Sequence, residues 1–155
     1  MKYKYLVIPF ITLILAQIIK FLVESIQNKK FNFSRLLNGN GGMPSTHTAF
    51  TMSLAFSIGI NEGFDTSVFA CGLIFAIIVA YDSMGLRMES GKQAVMINKL
   101  VKKSGIENDN VPLKEMLGHK PLEVFAGIIF GVASASIQMM IFGWLNWNNV
   151  IKLKT

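Results

Sequence analysis

The sequence is short of features that soluble and secreted domains usually have. Only 15% of its 155 residues are charged, whereas soluble domains average about 25%. Hydrophobic residues make up 52%, and the mean hydropathy is +0.46. The single cysteine, Cys71, excludes an internal disulfide, and its place inside an apolar run predicts a small core residue. These shortages indicate an integral membrane protein with one domain, residues 1–155.

Acidic residues are also scarce, with nine against fifteen basic residues and a net charge of +6. The basic residues lie between the apolar runs, so they predict membrane orientation and an anionic headgroup as partner rather than nucleic acid. No A-x-A-like cleavage site follows the first apolar run, which predicts a retained spanning helix rather than a signal peptide. Repeats and low-complexity tracts are absent from the sequence.

Four apolar segments organise the chain, at about residues 5–26, 46–60, 67–85 and 121–144. A spanning helix needs about 20 apolar residues, and the second segment is shorter and polar-flanked, so we expect its neighbours to shield it. Residues 88–103 combine an apolar stripe with four lysines, which predicts an interfacial or cytoplasmic helix. The predicted fold class is therefore all-α, an integral membrane bundle of about four transmembrane helices plus that extra helix.

The two basic connections, residues 28–43 and 87–120, fall on the same side of a four-span topology. The positive-inside rule places them in the cytoplasm and both termini outside the cytoplasmic membrane. Most polar residues in or beside the spans then meet at one cytoplasmic face: Lys20, Ser45, His47, Asp82, Arg87, His119 and Glu123. Ionisable groups at membrane depth are costly, so such convergence indicates a functional site.

The only two histidines each lie in a short stretch that contains glycine and proline at the start of an apolar segment, one in residues 41–47 and the other in 118–123. Ser45 after Pro44 is a good helix N-cap, which can be its whole role. Alternatively, the helix terminus and the amides of residues 41 and 42 form a cradle for phosphate. His47 then has the role of a general acid that protonates a leaving oxygen, as against a simple interfacial polar residue.

His119 and Glu123 are four residues apart and share a face if the helix begins near Lys120. A carboxylate there can hold one imidazole nitrogen and leave the other nucleophilic. An ordinary pair at a helix start is the alternative, because glutamate is favoured there in any case.

Several cations could hold the phosphate oxygens. Lys20 shares a helix face with Gln17 and Glu24, and it could also simply snorkel. Arg35 and Arg87 could clamp phosphate in bidentate fashion or serve only as topology charges. Asp82 is predicted to pair with Arg87 or Lys92, which places Asp82 and Lys92 behind the site.

The motifs together resemble a known family. Pro44-Ser45-Thr46-His47 resembles the Pro-Ser-Gly-His motif of the type 2 phosphatidic acid phosphatase superfamily, which includes vanadium haloperoxidases. His119-x-x-x-Glu123 resembles its His-x-x-x-Asp motif. The strings GGMPSTH, YDSMGLR and LGHKPLEV look like the divergent branch of that superfamily, over about residues 17–131. The sequence departs from the superfamily pattern in Thr46 and Glu123, and it lacks a Ser-Arg pair shortly before His119.

The resemblance implies a phosphatase that needs neither metal nor cofactor and acts through a phosphohistidine. His119 would attack phosphorus, Glu123 would orient it and His47 would protonate the leaving group. The phosphate oxygens would be held by Lys20, Arg35, Gly42, Ser45, Thr46 and Arg87. Positioned positive charge of this kind stabilises the transition state of phosphoryl transfer.

The sequence thus predicts a membrane enzyme that hydrolyses a lipid phosphate monoester or pyrophosphate. Phosphatidic acid, phosphatidylglycerophosphate and polyprenyl pyrophosphate are all candidate substrates, and headgroup transfer to an alcohol stays open. A non-catalytic lipid-phosphate binder or transporter is one alternative. A magnesium-dependent hydrolase using Asp82, Glu89 and Glu123 is another, and a purely structural four-span protein is a third. A homodimer could complete the lipid-facing walls, because four helices are few for this superfamily.

Overall fold

A computed structural model describes residues 3–28, 42–104, 112–115 and 117–144. All regular secondary structure in these ranges is helical. The five helices are α1 (Lys4–Asn28), α2 (Thr46–Glu62), α3 (Ser67–Met84), α4 (Leu86–Ser104) and α5 (Pro121–Ile141). The predicted all-α class is confirmed.

The helix ends follow from local sequence. Ser45 caps α2 by accepting a hydrogen bond from the Thr48 N–H at 3.4 Å, and Thr66 caps α3 in the same way. At the other end of the bundle, α5 stops at Ile141, three residues before the predicted limit. Gly143 has a φ of +63° there, and the Trp144 N–H reaches back to the Met139 carbonyl at 2.8 Å. This is a Schellman-type ending, which a glycine permits without strain.

The helix α2 is the centre of the bundle, because α1, α3 and α5 all pack on it. Most of its buried side chains are small or hydroxylated: Thr46, Thr48, Ala49, Thr51, Ser53, Ala55 and Ser57. The prediction that neighbouring helices shield this short segment agrees with that burial. Because these side chains occupy little volume, the neighbouring backbones can approach α2 closely.

The closest approach is between α2 and α5. A Cβ atom on Gly127 would lie 2.7 Å from the Ser45 carbonyl oxygen, and one on Gly131 would lie 2.6 Å from the Ala49 carbonyl oxygen. The two glycines are four residues apart on one helix face, which is the small-xxx-small arrangement of closely packed membrane helices. We call Gly127 and Gly131 the glycine seam. It brings the start of α2 against the start of α5.

Buried hydrogen bonds tie α1 to α5. The Gln138 Nε2 donates to Thr12 Oγ1 at 2.9 Å and to Ser134 Oγ at 3.0 Å, and the two hydroxyls are 3.0 Å from each other. All three side chains are buried. Polar contacts between apolar helices fix their register, because the alternative is an unpaired polar group.

Three described helical segments are long and apolar enough to cross a membrane: Lys4–Ile26, Ser67–Ser104 and Pro121–Ile141. The second of these combines α3 and α4, which are separated only by Gly85. At 17 residues α2 is not among them. The protein is thus a helical membrane bundle in which a short central helix is surrounded by longer apolar ones.

Candidate functional site

The two histidines lie close together although they are far apart in the sequence. His47 is in the first turn of α2, and His119 is in the turn just before α5. Their ring centroids are 6.3 Å apart and the ring planes are perpendicular. The glycine seam explains this meeting, because it holds the beginnings of α2 and α5 against each other.

Three contacts hold the backbone at His119. Its N–H donates to the Ser83 carbonyl at the end of α3, at 2.9 Å. Gly118, at φ +89°, packs against Met88 so tightly that a Cβ would lie 2.7 Å from the Met88 nitrogen. A Cβ on Gly91 of α4 would likewise lie 2.6 Å from the Glu115 carbonyl oxygen. The His119 turn is therefore wedged between the end of α3 and the start of α4.

The His119 ring is buried, with 6% of the residue exposed. Within the part of the chain that the structure describes, neither ring nitrogen has a hydrogen-bond partner. Such unsatisfied buried groups are uncommon and call for an explanation. Burial, and after it the positive charges of Lys20, His47 and Arg87, lower the pKa of His119 to about 4. The imidazole is therefore neutral at pH 7, with a lone pair available to a ligand.

Lys20 is almost completely buried, at 3% exposure. Its side chain lies beside Gly42, since a Cβ on that glycine would be 2.9 Å from Lys20 Cε and 2.6 Å from Glu24 Oε1. Gly42 also has a φ of +88°, which favours glycine. A glycine therefore suits this position both because there is no room for a Cβ and because of its backbone conformation. The sequence-predicted face of Lys20 and Glu24 is thus directed at the turn that precedes His47.

Arg87 and Lys92 are more exposed than Lys20. The Arg87 Nε donates to Asp82 Oδ2 at 3.3 Å, so Asp82 pairs with Arg87 rather than with Lys92. Lys92 instead pairs with Glu89 at 2.6 Å on the surface of α4. Arg87 still contributes to the positive field at His119, whereas Arg35 and Gly41 lie outside the described residues.

Ser45 and Thr46 are buried at the start of α2. The Ser45 N–H donates to the Glu123 carbonyl at 3.0 Å, and the Ser45 hydroxyl is 3.0 Å from the Thr48 hydroxyl. The Ser45 amide is therefore occupied by α5. The hydroxyl, in contrast, has a rotatable proton that it can direct to another acceptor.

Glu123 binds backbone rather than the imidazole of His119. Its Oε2 accepts from the Lys120 N–H at 3.2 Å, and its own carbonyl accepts from Ser45. The first contact caps α5 beside His119, and the second holds the turn before His47. Glu123 thus contacts both turns that carry histidines.

Sequence reasoning did not identify the contacts that fix His119: the Ser83 carbonyl, Met88 and Gly91. A signal was present only for the glycines, because Gly91 interrupts a helical pattern and Gly118 precedes a histidine. The carbonyl of Ser83 leaves no trace in a side-chain motif.

The described residues contain no group of three or more His, Cys, Asp or Glu side chains able to hold a metal ion. The three carboxylates proposed for magnesium have other contacts: Asp82 binds Arg87, Glu89 binds Lys92 and Glu123 caps α5. The chemistry that this site offers is instead a buried neutral imidazole, a second imidazole beside it and a positive field. These properties suit a small anion.

Comparisons with known proteins agree with the motifs. The profile of a family described as "Divergent PAP2 family" matches residues 1–134. An "Uncharacterized membrane protein YuiD" of Bacillus subtilis (strain 168) is 38% identical over 133 residues, covering 77% of this chain and 84% of that protein. No solved structure matches the chain.

Proposed function

Because this chain belongs to the divergent PAP2 family, we propose that it hydrolyses a phosphate monoester or pyrophosphate carried by a membrane lipid. The observation that supports this most strongly is the His47–His119 pair, 6.3 Å apart in the field of Lys20 and Arg87. Two imidazoles at that separation can contact the same phosphoryl group. His119 lies just before α5, which is long and apolar enough to cross a membrane, so a lipid tail can stay in the bilayer during the proposed reaction.

In the proposed reaction, a lone pair of the neutral His119 imidazole attacks phosphorus and forms a P–N bond. The P–O bond to the lipid breaks, and the His47 imidazolium gives its proton to the leaving oxygen. Lys20, Arg87 and the hydroxyl of Ser45 stabilise the charge on the other phosphate oxygens, together with the backbone of Gly42 and Thr46 and with Arg35. His47 then takes a proton from water, whose oxygen displaces His119 and releases inorganic phosphate.

Glu123 is proposed as a positioning residue that acts through the backbone. Its carboxylate holds the amide that follows His119, and its carbonyl holds the Ser45 amide two residues before His47. This differs from direct orientation of the imidazole ring. Both arrangements keep the two histidine-bearing turns in a fixed relation.

The test is phosphate release by the purified protein in detergent with EDTA. Phosphatidic acid, phosphatidylglycerophosphate and a polyprenyl pyrophosphate are supplied in parallel. We expect His119→Ala to abolish release, and His47→Ala to reduce it by about 10²–10⁴-fold, the usual contribution of a general acid. Cys71→Ser is the matched control and keeps wild-type activity, because Cys71 is exposed on α3; the prediction that it is a core residue was wrong. Release that EDTA abolishes, or that survives His119→Ala, contradicts the proposal.

A second candidate function is binding of lipid phosphate without turnover. The observation that favours it is the absence, among the described residues, of any group that orients the His119 ring. Vanadate or lipid-phosphate affinity distinguishes the two functions. If the protein is a binder, the wild type binds vanadate or lipid phosphate and releases no phosphate from any of the three lipids. If it is a phosphatase, the wild type releases phosphate and His119→Ala does not.

We also propose that the site faces the cytoplasm across the cytoplasmic membrane. The support is the concentration of basic residues in the two connections, residues 28–43 and 87–120.

A further inference from the structure

The helix α4 has three differently composed sides. One side is buried at Gly91 and Ala94, and Gly91 packs on the backbone of Glu115 and Leu117. Asn98 extends that contact, because its amide donates to the Leu113 carbonyl at 2.8 Å and its Oδ1 accepts from the Leu113 N–H at 3.0 Å. This side therefore holds the segment that leads to His119.

The opposite side is exposed and apolar. At 100° per residue, four large apolar residues fall within an arc of about 100°. They are Leu86, Met96, Ile97 and Leu100, and all except Ile97 expose at least 66% of their surface. None of the helices that the structure describes covers this side.

The third side is basic and directly adjoins the apolar one. Lys92, Lys99, Lys102 and Lys103 fall within a second arc of about 100°. All four are exposed, and only Lys92 forms a described ion pair, with Glu89. A lysine arc next to an apolar arc matches the interface of an anionic leaflet, where headgroups lie beside acyl chains.

We infer that α4 lies along the surface of an anionic leaflet, with its lysines on lipid phosphates and its apolar arc among the acyl chains. The continuity of α4 with α3 supports this occupant, because Gly85 alone separates the two helices and the start of α4 therefore lies next to the end of an apolar segment long enough to cross a membrane. Charge complementarity selects anionic over zwitterionic lipid. The inference is independent of whether the histidine site turns over a substrate.

The test uses the full-length protein in vesicles, with Cys71→Ser and a fluorophore on Met96→Cys. Quenching is compared between brominated phosphatidylglycerol and brominated phosphatidylcholine. We expect strong quenching, with phosphatidylglycerol preferred several-fold. Changing all four α4 lysines to glutamine should bring the ratio of quenching by phosphatidylglycerol to quenching by phosphatidylcholine close to one. The control changes Lys152 and Lys154, near the C-terminal end of the sequence, to glutamine and should leave this ratio unchanged.

Salt provides a second measurement that needs no lysine variant. About 1 M salt shortens the screening length to about 3 Å, so the phosphatidylglycerol preference collapses while quenching by both lipids persists. Weak quenching by both lipids would show that water or another protein covers α4, and would overturn the inference. Strong but equal quenching by the two lipids at low salt would overturn the inference that α4 prefers anionic lipid.

Discussion

At the scale of single residues, His119 combines a buried side chain with polar ring nitrogens that have no described hydrogen-bond partner. A buried imidazole with no described hydrogen-bond partner lowers stability, and the cations around it make its protonation still less favourable. A bound anion would relieve both costs, because it accepts hydrogen bonds and neutralises the field. If the site binds phosphate as proposed, the unfavourable environment of the free site is also a source of that affinity.

The lowered pKa of His119 predicts a pH dependence of stability. The unfolded side chain titrates near 6.5 and the folded one near 4. Between these values the unfolded state binds more protons, so stability falls as the pH is lowered from 6.5 to 4. The loss is about 3 kcal/mol when complete. Thermal unfolding in detergent measures it, and His119→Gln should flatten this part of the profile; an unchanged slope would contradict the assignment.

Among single residues, the sequence predicted that His47, His119 and Lys20 lie near one another, but it did not predict the contacts that hold them there. His47, His119 and Lys20 were identifiable because polar groups beside apolar runs are rare. The Ser83 carbonyl and the backbone role of Glu123 were not, because main-chain contacts depend on the packing of α3 and α5 rather than on side-chain type.

Among the helices, the glycine seam is the main determinant of how α2 and α5 pack. Gly127 and Gly131 let α5 contact the α2 backbone, and no other residue type leaves room for it. The segment boundaries were predictable from hydropathy and caps. The central position of α2 was predicted only in part. The shortness of this segment predicted that other helices shield it, but not that α5 would pack closest to it.

The seam predicts opposite effects for two similar substitutions. Gly131→Ala places a methyl group 2.6 Å from the Ala49 carbonyl oxygen and should destabilise the bundle by about 1–3 kcal/mol. Gly72→Ala, on α3, meets Ala55 at an ordinary 3.5 Å and should be neutral or stabilising by up to about 1 kcal/mol. Thermal unfolding of both variants in detergent compares them. Equal midpoints would show that α2 and α5 can separate at little cost.

For the whole molecule, alternation of helix direction brings Met43 to the histidine end of α2 and Asp65 to the other end. Both side chains are exposed. The proposed orientation predicts that a membrane-impermeant maleimide labels Asp65→Cys but not Met43→Cys in cells with an intact cytoplasmic membrane, in a Cys71→Ser background. Permeabilised cells should label at both positions. Labelling at position 43 alone in intact cells would reverse the orientation.

The composition of α2 has a consequence for how the protein is made. A helix of 17 residues with buried threonines and serines partitions poorly into lipid by itself, because each such residue costs free energy at the bilayer centre. Its insertion therefore depends on helices synthesised after it, with α5 supplying the last wall. A nascent chain that ends before Pro121 lacks this wall. We therefore expect His47 and His119 to come together only after α5 has left the ribosome.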